Sequence, residues 1–341
     1  MKPWLFYPVV TLGGLLGLIV GLLTIYTIYN LFFGPVVIRR LTARYLFKRR
    51  LAWVSLAGVM LCTTMVLVVY SVMGGWLAQF RTVFQGFTGD VVITSRSMAG
   101  FGDYEKLVGA IEKMPECSAA VPVIRTFGLI NFPDVSSQGR VQGVQIVGIP
   151  IERVGEVNTF PTTLHRQYER YVEKGQKPPP PSFDLIPDID YRRFWRGQGK
   201  MPGGMIASAG VLGLQRDENG KIQRWSGMYT LRAITEVIPL TDGSIADSRP
   251  RARNYFIVDD SRTKFWQFDQ SVVYVPFNLL QEDLDMGPKT YTTDDGKTGV
   301  DPARTTELQV NVRDGFDVKQ TCEKIKALVT DITGDPLGEI G

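Results

Sequence analysis

From Leu51 to Met73 the chain runs 23 residues without a single charge. As a helix at ~1.5 Å per residue this stretch is about 35 Å long, against a bilayer core of ~30 Å. Soluble core helices rarely run so far uncharged, so the segment reads as a membrane span. A basic run precedes it: Arg39, Arg40, Arg44, Lys48, Arg49 and Arg50 are six positive charges with no acid among them. Beyond Met73 the pattern turns amphipathic, with Leu77, Phe80 and Phe84 at helical spacing and Gln79, Arg81 and Gln85 between them. This predicts a helix over 51–84 that leaves the bilayer as a stalk. Gly74 and Gly75 would be the stalk hinge, since each glycine costs ~1 kcal/mol against alanine in a helix. Gly86 and Gly89 would end it.

Residues 8–33 form a second apolar run of 26 residues, also uncharged. A signal peptide is the competing reading. The run is too long for an h-region, only Lys2 precedes it, and no A-x-A-like site follows. It reads as a first membrane helix. Gly13, Gly17 and Gly21 share one face, where small residues allow another helix to approach closely, so they form a helix-packing face. Orientation follows from the basic run, because cytoplasmic loops near spans are enriched in Lys and Arg. The six positives between the spans place that loop in the cytoplasm, next to anionic lipid. Both termini and everything after residue 74 are then extracytoplasmic. The expected division is 1–34 as first span, 35–50 as a cytoplasmic basic amphipathic segment, 51–86 as span and stalk, and 87–341 as the outer domain.

Net charge is +4, and without the six juxtamembrane charges the remainder is slightly acidic. Nothing in this balance points to nucleic acid. Three cysteines exclude a disulfide framework. Cys62 lies in the apolar run; Cys117 and Cys322 lie in the outer domain, bonded or free. A hydrophobic core must therefore hold that domain, and ~250 residues can supply one.

Within it, 90–94 reads as a strand, Tyr104–Met114 as an amphipathic helix, and Ala120–Phe132 and Val141–Ile149 as strands. Such an order suggests an α+β layer with the helix packed on one sheet face. Residues 160–204 differ: a helix over Leu164–Lys174, then Pro178–Pro181, then the aromatic-basic cluster Tyr191–Arg196, read as pinning a long loop to the domain body. Gly204–Leu214 reads as a short helix. Met228–Val237, Asn254–Asp259 and Gln270–Val275 read as strands, the last entering a helix through Pro276. Residues 286–305 read as an exposed loop. Glu307–Val312 reads as a strand and Phe316–Val329 as a helix with Val318, Cys322, Ile325 and Leu328 at core spacing.

Parts for catalysis are missing. Gly296-Lys297-Thr298 has Tyr291 where a phosphate loop needs its first glycine. Ser208 has Ile206 where a nucleophile elbow needs glycine. His165 is the single histidine, read as a solvated residue on a polar helix, so neither a His-based metal site nor a well-founded triad can be assembled. Asp188/Asp190 and Asp259/Asp260 read as exposed turn acids. The sequence therefore implies no enzyme and no cofactor.

Two stretches carry a resemblance. Ala43-Arg44-Tyr45-Leu46 with the basic residues after it, and Ser71-Val72-Met73-Gly74-Gly75-Trp76, resemble the first membrane helix of the ABC permeases of the LolC/LolE, MacB and FtsX-like group. The family pattern there is Ser-Val-Met-Asn-Gly-Phe. Phe268-Asp269-Gln270-Ser271-Val272-Val273-Tyr274-Val275-Pro276 is a second local match. The first span and the proline-rich insertion lie outside the family pattern. The resemblance implies a membrane protein of two transmembrane helices and a large α+β periplasmic MacB-like core domain. In it a porter-like α+β layer is interrupted by an inserted, mostly β subdomain. It further implies a non-catalytic permease subunit in the bacterial inner membrane, coupling cytoplasmic ATP hydrolysis to motion of the periplasmic domain, as in lipoprotein or lipid release or export. Its partners would be a cytoplasmic ABC ATPase subunit, membrane lipid, and a further transmembrane permease subunit or a missing C-terminal half. The alternative is a membrane-anchored periplasmic sensor or scaffold that regulates a partner such as a cell-wall hydrolase.

Overall fold

The computed structural model describes residues 26, 29, 36, 37, 40, 41, 44, 48 and 50–333, apart from 96, 98, 136–139, 196–198, 216, 218–221, 240–248, 264–268 and 293–297. The side chains of 50–52, 78–87, 291, 292 and 298 also fall outside that description. The chain divides into two compact units, 1–79 and 80–341.

In the first unit the defining element is helix α1, Arg50–Thr88, 39 residues long, whose last turns belong to the second unit. Its segment Trp53–Leu77 is long and apolar enough to cross a membrane by length and composition, and none of it is buried. Helical structure continues through Gly74 and Gly75, where an added Cβ would meet nothing. The helix stops at Gly89, which takes φ +73; a side chain there would meet Val157 Cγ1 at 2.8 Å. The expected span over 8–33 lies outside the described residues, apart from the helical Tyr26 and Tyr29.

The second unit continues as β1 (Val91–Thr94), α2 (Tyr104–Ile111), β2 (Cys117–Phe132), β3 (Arg140–Ile149) and a single helical turn α3 (Ile151–Val154). A strap follows: a 3-10 turn at Phe160–Thr163, a π-helical turn at His165–Glu169 and α4 (Arg170–Glu173). Then come β4 (Gly203–Ser208), β5 (Arg232–Val237), β6 (Arg251–Ser261), β7 (Val272–Pro276) and α5 (Phe277–Asp283). The hairpin β8 (Lys289–Thr292) and β9 (Thr298–Asp301), then β10 (Glu307–Val312) and α6 (Val318–Thr333), complete it.

Eight strands form one sheet in the order β1-β10-β2-β3-β7-β4-β6-β5, and β5 also pairs with β2. Six strands therefore return on themselves and close a ring. The long strand β2 serves both parts: Cys117–Val123 pairs with β10 and Ile124–Phe132 with β3, while Leu129–Asn131 pairs with β5 on the opposite edge. Gly128 permits the closure, because a Cβ there would lie 2.6 Å from the Glu236 carbonyl oxygen. The expected inserted β part is thus not a separate body. It is the ring itself, sharing β2 with the layer made by the first and last strands.

Period-two alternation sorts the strand residues between two faces. One set, including Ile130, Ile146, Met205, Tyr255, Ile257 and Val273, joins Leu107 and Ile111 of α2, Leu280 of α5 and Ile325 and Val329 of α6 in the main core. The other set, Val123, Val147, Ile206, Val258 and Val272, packs under Ile151 of α3 and under Phe160 and Leu164 of the strap.

Four expectations differ from the structure. Gly203–Ser208 is a strand rather than the start of a helix over 204–214. It lies between β6 and β7 and is buried on both faces, so it shows no alternation. The expected loop over 286–305 contains the β8–β9 hairpin. Only Arg232–Val237 of the strand expected over Met228–Val237 is extended, and a 3-10 turn occupies Met228–Thr230. In α6 the buried row is Cys322, Ile325 and Val329; Val318, the first helical residue, stays 39% exposed.

Candidate functional site

Of the orienting basic residues, Arg40, Arg44 and Lys48 are helical and exposed, and their spacing of four puts them on one helix face. Arg50 opens α1. Arg39 and Arg49, like Gly13, Gly17 and Gly21, lie outside the described residues. None of these residues builds a chemical site in the second unit. Two other arrangements do: the first was not singled out from sequence, and the acids of the second were read there as exposed turn acids.

The first is a half-open cavity of about 330 Å³ over the outer face of β10, β2, β3 and β7. Val123, Val147, Ile149, Val154, Val272 and Phe160 give it apolar walls. Tyr274 from β7 also lines it and stacks on Phe160 with ring centroids 4.4 Å apart. Its polar side is a chain of side chains running across strands. Arg125 Nε donates to Glu307 Oε2 at 2.9 Å and Arg125 Nη2 to Glu307 Oε1 at 3.3 Å. Gln309 Nε2 donates to Glu307 Oε1 at 2.7 Å, and Asn158 Nδ2 donates to Gln309 Oε1 at 3.0 Å.

Desolvation alone would lower the Arg125 pKa; the charge and hydrogen bonds of Glu307 more than offset it and leave the guanidinium above its usual range. Burial pushes the Tyr274 phenol up to about 12, with Arg125 opposing the rise. The site presents a neutral ion pair and a phenol in an apolar recess. It brings no nucleophile and base together, and among the described residues no group of His, Cys, Asp and Glu could hold a metal.

The second arrangement corrects the reading of Asp259 and Asp260 as exposed turn acids. Both are fully buried, next to each other near the end of β6. Asp259 accepts from the backbone N–H groups of Arg166 at 2.7 Å, Gln167 at 2.9 Å and Asp260 at 2.8 Å. Asp260 takes the Arg224 guanidinium at 2.7 Å and the Tyr229 hydroxyl at 3.0 Å. The pair thus tethers two different inserted segments to one strand. Burial pushes the Asp259 carboxyl up to about 6, with the backbone donors opposing the rise and Asp260 adding to it. Asp188 and Asp190 do lie at the surface region expected for turn acids.

More ties fix the strap. The Arg262 N–H donates to the Thr163 carbonyl at 2.9 Å, and Gln167 exchanges two hydrogen bonds with the Ser182 backbone. Tyr191 is buried against Phe256 at 4.8 Å, which gives the aromatic cluster its pinning role; Arg192, Arg193 and Phe194 stay exposed, and Arg196 lies outside the described residues. His165 is not simply solvated: it is only partly exposed, and its Nδ1 lies 2.7 Å from Glu169 Oε2. Cys117 and Cys322 are both buried, and no disulfide joins them.

No family model matches the chain, and no curated protein does. Among solved structures, it is similar to the periplasmic region of MacB from Actinobacillus actinomycetemcomitans, at TM-score 0.40 and 9% identity over 74% of this chain and 86% of that one. It is also similar to the extracellular domain of the noncanonic ABC-type transporter YknZ from Gram-positive bacteria, at TM-score 0.37 and 11% identity over 74% and 98%.

Proposed function

We propose that the chain is a non-catalytic permease subunit of an ABC transporter, set in the bacterial inner membrane with residues 87–341 outside the cytoplasm. The observation that carries this reading is α1. Its segment Trp53–Leu77 is uncharged and has no side of it buried by protein, as expected for a helix solvated by lipid. Basic residues precede it and an amphipathic continuation follows, which orients it with Arg40, Arg44 and Lys48 inside. The resemblance at Ser71–Trp76 and Phe268–Pro276 supplies the class. In this reading an ATPase subunit hydrolyses ATP in the cytoplasm, and α1 transmits its motion to the outer domain. A helix transmits displacement because each turn is tied to the next by backbone hydrogen bonds. Further membrane helices complete the pathway, with lipoprotein or lipid release or export as the cargo class.

Affinity purification of the full chain from its native membrane in detergent tests the proposal. The expected result is co-purification of an ATPase with a complete phosphate loop, and no nucleotide hydrolysis by this chain alone. Recovery of a cell-wall hydrolase without any ATPase would favour a membrane-anchored scaffold instead.

A further inference from the structure

The cavity beside Arg125 and Glu307 is equipped to hold a ligand. Tyr274 lines it, yet the Tyr274 hydroxyl makes no hydrogen bond to any described residue. Tyr274 is partly buried in the recess, and a phenol there can donate to an acceptor that enters it. Its raised pKa keeps it a proton donor throughout the physiological range. Arg125 spends Nε and Nη2 on Glu307, but its Nη1 has only a 3.5 Å approach to Gln145 Oε1. That is too long for a strong bond and leaves donor capacity beside the phenol. The other walls are mainly aliphatic or aromatic, with Thr88, Asn158, Thr263 and Gln309 at the polar side.

We infer that this cavity binds a small neutral molecule, mainly apolar and no larger than about two rings, whose carbonyl or similar acceptor oxygen is held by Tyr274 Oη and Arg125 Nη1. Size follows from the volume. A dry apolar cavity of roughly 150 Å³ holds benzene, and this one is about 330 Å³. Neutrality follows from the ion pair. The guanidinium charge is already compensated by Glu307, whose side chain is 7% exposed. A ligand carboxylate would place a second negative charge beside it in a poorly solvated recess, which is costly. A neutral acceptor gains both donors without that repulsion. The inference concerns the second unit alone and does not depend on the transport reading.

Photolabelling tests it. The full chain in lipid nanodiscs is irradiated with benzophenone, a neutral two-ring ketone that inserts into nearby C–H bonds, and adducts are mapped by mass spectrometry. Labelling of Trp53–Leu77 from probe dissolved in the bilayer serves as an internal standard. Adducts on β3 and β7 peptides should saturate, and excess 2-acetonaphthone should displace them while 2-naphthoate does not. Tyr274→Phe should raise the half-saturating concentration roughly five-fold, the loss of one hydrogen bond. Val147→Phe, which fills the recess, should abolish β3 and β7 adducts and leave the standard unchanged. Non-saturable adducts, equal displacement by 2-naphthoate, or unchanged half-saturation in Tyr274→Phe would each overturn the inference. Tyr274→Phe removes only an oxygen, so it decides the question even if Val147→Phe does not fold.

Discussion

Arg125 and Glu307 stand 182 positions apart and meet as a forked ion pair, with N–O distances of 2.9 and 3.3 Å. They are diagonal neighbours across β2 and β10, because Glu307 is in register with Val123. Glu307 is nearly buried, whereas Arg125 keeps 28% of its side-chain surface. Arg125→Met would therefore strand the less hydrated partner, and a stranded buried charge costs more than a missing pair. The variant should lose about 2–4 kcal/mol in chemical denaturation. Arg125→Met combined with Glu307→Leu should recover most of that loss. Additive losses in the double variant would mean that the two residues are not coupled.

Asp259 gives the second unit a pH dependence of definite sign. Burial pushes its carboxyl up to about 6 in the fold, above the usual ~3.9 of an aspartate. A raised acid pKa means that the fold binds the proton more tightly than the unfolded chain does. Ionisation at neutral pH therefore costs stability, and stability should rise as pH falls through 6, levelling off near the unfolded pKa. The full span corresponds to roughly 3 kcal/mol. The measurement is the difference between wild type and Asp259→Asn in denaturation midpoints from pH 7.5 to 4.5, so that other titrating groups cancel. A difference that is flat across this range would refute the assignment.

The strap should come loose without Leu164. That side chain is fully buried in the smaller cluster with Phe160, Val258 and Val272, and its backbone bridges Ser261. Leu164→Ala should cost about 2–5 kcal/mol. Limited trypsinolysis should then cut at the exposed Lys174 well before the rest of the domain. Unchanged cleavage would show that the acid tethers hold the strap without the leucine.

Helix α1 is proposed to carry force through Gly75. Proline at that position lacks an N–H and clashes with the preceding turn, at ~3 kcal/mol or more. Gly75→Pro should insert into the membrane in normal amounts, yet reduce ATP-driven turnover of the assembled transporter at least about ten-fold, as a cost of that size allows. Normal turnover in a well-expressed variant would rule out the coupling role.

Much of the second unit was legible because its signals are local. Alternation announced β2, β3 and β10, and the apolar spacing of Leu107 and Ile111 announced α2. Gly203–Ser208 was misread because a strand buried on both faces loses the period of two. The β8–β9 hairpin was missed because Lys289–Thr292 is short and polar, with no apolar alternation to announce it. Neither site could be read from neighbouring residues. Asp259 finds two of its three donors 92 and 93 positions away, and Asp260 finds Arg224 36 positions away. Two acids side by side look like a turn until the segments they hold are folded against them. Nor does the β2–β5 pairing that closes the ring leave any mark in either strand alone.

Topology is the most direct test of the account's central claim, that α1 crosses the membrane and places the α+β domain outside the cytoplasm. Ser97→Cys lies on an exposed position after β1, and Thr42→Cys lies in the basic segment before α1. Each is introduced with Cys62→Ser and probed with a membrane-impermeant thiol reagent in cells whose outer membrane alone is permeable. The account predicts labelling of Ser97→Cys in intact cells and of Thr42→Cys only after the inner membrane is opened. Labelling of Thr42→Cys but not Ser97→Cys in intact cells would contradict it.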